Sequence, residues 1–373
     1  MIGLLLAVVL PLTGGVSAFD RNLAVEYVNV TNGVKWIDGR ALPIEGRAFD
    51  DVEHYYDRLP SNVTEKVNAG VRFMKHHTAG LQFRFATDAA KLHLRWTPYD
   101  PNAVQLPHMP ATAVSGLDVY RYDAAQGRWL HHATGQVKDG KAGGSIEFGW
   151  TPGETCLVNL PLYNGIRSFE LGIAPSNTVT AAPPRKSGVV KPVVFYGTSI
   201  TQGAAASRPG LSFVNIVGRR LDVPVVNLGF SGCGRMELEM SEHLARIDAS
   251  CYVLDCLWNM SVPWRKDGKV EENYEPFVRN LRKLRPDVPI VMAERCDVHL
   301  NEKDARNDFI RALYGRLVAE GWTDLHYLPK DRMYANDGEG TVEGVHPNDR
   351  GMMSLADAFG TAVGRALSSK FDR

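Results

Sequence analysis

From Val193 onward the chain alternates short apolar runs with amphipathic stretches, and this alternation restricts the fold more than any other feature. Val193-Val194-Phe195-Tyr196 is uniformly apolar, as expected of a strand buried on both faces. Ser212 to Leu221 has helical spacing, Val225 to Leu228 reads as a second strand and Met236 to Ile247 as a second helix. The pattern repeats with a strand at Tyr252 to Cys256, a helix at Tyr274 to Leu284 and a strand at Ile290 to Met292. A helix at Asp304 to Glu320, a strand at Leu325 to Leu328 and a helix from Gly351 to Leu367 complete it. Strands alternating with helices need right-handed crossovers, which yields a parallel sheet covered on both sides. Ligands of such sheets bind beyond the carboxyl ends of the strands.

The preceding half has a different pattern. Leu81 to Phe85 and Leu92 to Trp96 alternate polar and apolar residues. Leu117 to Tyr122, Ser145 to Trp150 and Phe169 to Ile173 are further strand-like runs, separated by turns such as Asp139-Gly140 and Ala142-Gly143-Gly144. Many short strands joined by such turns indicate an all-β sandwich. Residues 174–190 are rich in Pro, Ser and Thr, a linker composition. The expected organisation is a β-sandwich over 19–175, a linker over 176–190 and an α/β domain over 191–373. Two domains suit a chain of 373 residues.

Residues 1–18 resemble a signal peptide. The apolar run Ile2 to Leu12 is too short to cross a bilayer, and Val16-Ser17-Ala18 offers a small-x-small cleavage pattern. A basic n-region is missing, and a buried N-terminal strand is the alternative. The expectation is export to the periplasm or beyond, with no membrane span. Lys plus Arg equals Asp plus Glu, at 42 each, so no global field favours nucleic acid or an anionic membrane. The five cysteines include no CxxC pair, which argues against a zinc or redox motif. Cys251 and Cys256 should point to opposite faces of their strand and not pair with each other. An exported protein could still hold one disulfide.

Four segments carry chemistry. Gly197-Thr198-Ser199-Ile200-Thr201-Gln202-Gly203 follows the first parallel strand and places Ser199 at its carboxyl end, where backbone N–H groups can hold an oxyanion. It is neither GxSxG nor a phosphate-binding GxxxxGK[ST] loop. Near the other end, Glu343-Gly344-Val345-His346-Pro347 sets a carboxylate three residues before a histidine, so that the acid can fold back to the ring. A serine needs such a base, and the base an orienter. Asp337, Asp349 and a backbone carbonyl are the competing orienters. Asn227-Leu228-Gly229-Phe230-Ser231-Gly232 and Asn259 follow the second and third strands and add candidate oxyanion donors at the same edge of the sheet.

Together these segments resemble the SGNH (GDSL-type) hydrolase superfamily, whose four blocks supply Ser, Gly, Asn and His in that chain order. Here the order is Ser199, Gly232, Asn259, His346. Thr198 stands where the first block has Asp, Cys256-Leu257-Trp258 replaces a Gly-rich lead, and Glu343 replaces the Asp of a DxxHP block. Upstream, Gly116-Leu117-Asp118-Val119-Tyr120 is similar to the GxDLY signature of a β-sandwich found before some bacterial SGNH esterases, and Leu160 to Gly165 also looks like that module.

The resemblance implies a flavodoxin-like parallel sheet and acyl transfer without metal or organic cofactor. Ser199 would be the nucleophile, His346 its base and Glu343 the orienter. The N–H groups of Ser199 and Gly232 and the Asn259 amide would form the oxyanion hole. The implied substrate is a small acyl ester, an acetyl group on a carbohydrate being favoured, with Trp258 and Trp264 as candidate sugar-stacking surfaces. The alternatives are a lipase-like or thioesterase-like acylhydrolase, or a glycan-binding protein with a relict hydrolase domain.

Overall fold

The computed structural model describes residues 28–371 except 139, 264–265, 297–302 and 334–336. The expected signal peptide and Trp264 therefore lie outside the described residues. The fold is mixed α/β, with one parallel sheet and two antiparallel sheets.

The parallel sheet runs Val225–Gly229, Val193–Gly197, Cys251–Asp255, Ile290–Ala293, Leu325–Leu328 in spatial order. In chain order this is 2-1-3-4-5, the flavodoxin-like arrangement. Successive residues of the first strand feed two separate cores. Val193 and Phe195 pack with Phe213, Val217 and Phe359 on one face, and Val194 and Tyr196 with Phe277 and Leu281 on the other. Burial on both faces is why these strands are uniformly apolar. Cys251 and Cys256 likewise fall into different cores. All five cysteines are thiols, so the one disulfide that an exported protein could hold is not formed.

Of the antiparallel sheets, one orders Val28–Thr31, Val34–Asp38, Ile166–Ile173, Lys91–Pro98, Gly144–Gly149. The other orders Val179–Ala181, Gln82–Thr87, Thr155–Asn159, Leu117–Asp123, Arg128–Gly135. Phe83, Phe85, Val119 and Val158 of one sheet share a hydrophobic core with Leu94, Trp96, Phe169 and Leu171 of the other.

Two features depart from the expected layout. Within the 176–190 segment, Val179–Ala181 pairs with Gln82–Thr87, and Arg185 binds both Glu45 and Asp222, so this stretch is tied down rather than loose. Three residues are too few to show a strand period. Residues 46–80 contribute no strand. They hold a short helix, Ala69–Met74, and send Phe49, Leu59, Val67, Val71 and Met74 into the core beneath Val194 and Tyr196. This segment thus joins helical residues such as Met240, Phe277 and Leu313 in the core on that face of the parallel sheet, while Met109, Val114 and Leu162 enter the core on the other. No helix among the described residues is long and apolar enough to cross a membrane.

Candidate active site

The strand Val193–Gly197 runs into Thr198, which caps a single helical turn, Ser199–Gln202. The Thr198 hydroxyl accepts from the Ile200 N–H at 3.2 Å, and the Thr201 hydroxyl returns to the Thr198 N–H at 3.3 Å. Such a reciprocal cap satisfies backbone donors that a helix start leaves unpaired. Thr198, in the place of the resembling family's Asp, therefore has a local structural use. Beneath the turn, the Thr201 hydroxyl is 2.7 Å from the buried Asp255 carboxyl. Burial lifts the Asp255 pKa to about 7, the Thr201 bond opposing the rise. Ser199 itself is buried, yet its Oγ lies 2.9 Å from Nε2 of His346.

His346 is presented by a turn closed by an antiparallel bridge between Thr341 and Pro347 and by a Val342 N–H to His346 carbonyl bond of 3.0 Å. Gly344 adopts φ +89°, a conformation that costs other residues dearly, and this lets Glu343 fold back. One carboxylate oxygen, Oε1 of Glu343, accepts from three donors: the His346 ring Nδ1 at 2.9 Å, the His346 N–H at 2.6 Å and the Val345 N–H at 3.2 Å. The competing acids are engaged elsewhere. Asp337 pairs with Arg350 at 2.6 Å, and Asp349 accepts from the Ser207 N–H at 2.8 Å and hydroxyl at 2.6 Å. The geometry thus brings together Ser199, His346 and Glu343 in one hydrogen-bonded line.

The sheet register sets Gly197 beside both Gly229 and Asp255, so the segments carrying Gly232 and Asn259 leave the sheet on either side of Ser199's strand. Gly232 has φ +66° in a turn where the Cys233 and Gly234 N–H groups both bond the Phe230 carbonyl. Asn259 donates one amide proton to that same carbonyl at 3.2 Å. The two candidate donor segments are therefore tied to each other. Trp258 is half-buried. Its Nε1 donates to the Cys296 sulfur at 3.2 Å, and the Arg295 guanidinium sits 4.4 Å over its ring. That contact covers one of the two faces a stacking sugar would use.

Several neighbours escaped the sequence reading. His108 stacks on His346 with ring centroids 5.6 Å apart, and the Tyr163 hydroxyl donates to the Ser199 carbonyl at 3.2 Å. Both come from the antiparallel half. Asp118, the acid of the GxDLY-like segment, is buried and accepts from the Gly210 N–H at 3.0 Å and Arg208 at 2.7 Å, joining the two halves. The signature residue was legible but its partner was not. Elsewhere, Glu53, His54, Asp57 and His76 place ligand-type atoms within 4.8 Å of one another. Lys75 already pairs with Glu53 at 2.8 Å, and His76 with Asp57 at 2.8 Å.

Residues 190–363 match the GDSL-like lipase/acylhydrolase family, and residues 34–179 match the N-terminal region of SGNH-hydrolase-type esterases. No curated protein matches the chain. Among solved structures, a protein described as a GDSL-like lipase from Bacteroides ovatus is 27% identical, covers 90% of this chain and 98% of its own, and superposes with a TM-score of 0.76. A salicylyl-acyltransferase from a tetracycline biosynthetic pathway is 17% identical, with coverage of 90% and 98% and a TM-score of 0.70. A family two carbohydrate esterase from Cellvibrio japonicus is 12% identical, with coverage of 90% and 98% and a TM-score of 0.56. The last two share the fold.

Proposed function

The chain belongs to the GDSL-like lipase/acylhydrolase family, and from that premise we propose that it is a serine esterase removing small acyl groups, acetyl foremost, from a carbohydrate. The observation that carries the proposal is the line of contacts from Ser199 Oγ to His346 Nε2 and from His346 Nδ1 to Glu343, each 2.9 Å. A hydroxyl so placed loses its proton to the imidazole as it attacks an ester carbonyl. Glu343 holds the ring in the tautomer that keeps Nε2 open and balances the charge it gains. The N–H groups of Ser199 and Gly232 and the second amide proton of Asn259 receive the oxyanion. His346 then protonates the leaving alcohol, and water repeats the sequence on the acyl-enzyme.

The carbohydrate substrate is supported by fold likeness to carbohydrate esterases, one of them described in complex with cellohexaose. In this reading the two antiparallel sheets are a sandwich that braces the hydrolase, and the protein is exported. The test is acetate release from a panel of acetylated oligosaccharides, with Ser199→Ala as control. Release by the parent and none by the variant is the expected result. No release from any acetylated glycan, with p-nitrophenyl acetate still cleaved, would remove the carbohydrate and leave the esterase. Release by Ser199→Ala at the parental rate would remove the nucleophile.

A further inference from the structure

Two side chains of the antiparallel half reach the turn that carries Gly232. Arg58 is fully buried, and its guanidinium serves main-chain carbonyls: His77 at 2.8 Å, Met74 at 2.9 Å, Asn227 at 3.0 Å and Gly229 at 2.8 Å. It also lies 4.6 Å over the Phe230 ring. The hydrogen bonds of this cation go to carbonyls and not to a carboxylate. Burying a guanidinium on such terms is costly, and burial pulls its pKa down to about 9. Its contacts fix the carbonyls of the strand end immediately before the Phe230–Gly234 turn.

A second link runs through Gln202. The Ser231 N–H donates to Gln202 Oε1 at 3.0 Å, while Gln202 Nε2 donates to His77 Nδ1 at 2.9 Å and to the Leu162 carbonyl at 3.0 Å. The Ser231 N–H requires an oxygen, so the amide must face one way, and His77 accepts from its other end. Burial, reinforced by Arg58 and His76, holds the His77 pKa down to about 3. The ring therefore stays neutral, and donation from the oriented Gln202 amide selects the tautomer in which Nδ1 accepts. The next peptide unit after the Ser231 N–H is the one that contains the Gly232 N–H.

We propose that Arg58 and His77 are positioning residues for the Gly232 oxyanion donor, Arg58 by holding the carbonyls that lead into its turn and His77 by orienting Gln202 against Ser231. This rests on the reading of Gly232 as an oxyanion donor. It makes the antiparallel half a part of the catalytic apparatus, acting through the main chain without touching the reacting atoms.

The test uses the full chain with His77→Leu, Arg58→Met and Arg58→Lys. For each, kcat and KM for p-nitrophenyl acetate are measured per active site, the sites being counted with diethyl 4-nitrophenyl phosphate. Inhibition by methylboronic acid is measured alongside, because its tetrahedral adduct uses the oxyanion donors. Displacing a donor by a fraction of an ångström should lower kcat about 10- to 100-fold. KM should stay within about threefold, and boronate inhibition should weaken in step with kcat. Arg58→Lys should retain more activity than Arg58→Met. If Arg58→Met does not fold, His77→Leu decides. An unchanged kcat per site in His77→Leu, or a change confined to KM or to thermal stability, overturns the proposal. Failure of the functional reading is separate: it would show as Ser199→Ala matching the parent in the same assay.

Discussion

Glu343→Gln isolates what the carboxylate charge contributes. In the resembling triads, exchanging the acid for its amide costs about 10⁴-fold because the amide turns its NH₂ to the ring and fixes the wrong tautomer. Here Glu343 Oε1 also accepts two backbone N–H groups, from Val345 and His346. Those donors hold an amide oxygen in the same place, so Gln should keep the ring orientation and lose only the charge. The imidazolium and carboxylate charge centres would lie about 4 Å apart, worth ~1 kcal/mol in water and ~4 kcal/mol at an effective dielectric constant of 20. His346 is 27% exposed and Glu343 46%. Water therefore screens the pair, and ~2 kcal/mol is the expected loss, a fall in kcat of roughly 30-fold. KM should barely move. Glu343→Asp, which keeps a charge within reach, should lose less. The assay is p-nitrophenyl acetate hydrolysis with Asp337→Asn and Asp349→Asn in parallel. A Gln variant within twofold of the parent would mean that Glu343 charge plays no part. A fall near 10⁴-fold would mean that the backbone N–H groups do not control the amide.

Ser199→Ala should lower kcat by ~10⁴-fold or more while leaving the circular dichroism spectrum and melting temperature near parental values; substantial residual turnover would refute its role as nucleophile. Asn259→Ala should reduce kcat roughly 10²–10³-fold, and an effect on KM alone would reassign the residue to substrate binding. Asp255 gives a stability prediction. Its carboxyl titrates near 7 in the fold against 3.8 ordinarily, so the folded chain keeps a proton that the unfolded chain releases. Stability should therefore fall as pH rises from about 4 to 7, by roughly 4 kcal/mol from this group. Asp255→Asn, which still accepts from Thr201, should remove that slope in urea titrations, and parallel slopes for variant and parent would contradict the assignment.

The parallel sheet was legible because burial on both faces leaves apolar runs that helices then separate. The meeting of Ser199, His346 and Glu343 was legible because a serine at a strand end and an acid three residues before a histidine in a tight turn are local patterns. What sequence could not show is contact at long range. Nothing local in Arg58 announces carbonyl partners at Asn227 and Gly229. Gln202 read as part of a nucleophile loop, with no hint that it spans from Ser231 to His77. Trp258 was an aromatic near the site, and its use by Arg295 and Cys296 depends on chain segments that come together only in the fold.

Translation delivers the pieces of this site in a fixed order. In the proposed mechanism the hydroxyl and its oxyanion donors lie within residues 199–259, whereas the base and its acid come at 343–346, just before the helix Asp349–Phe371. That helix is anchored back on the earlier chain by Asp349 at Ser207. A nascent chain can thus complete the first three parallel strands while Ser199 remains an unactivated alcohol. In the proposed mechanism Ser199 gains its base only once His346 has emerged and the last helix has docked.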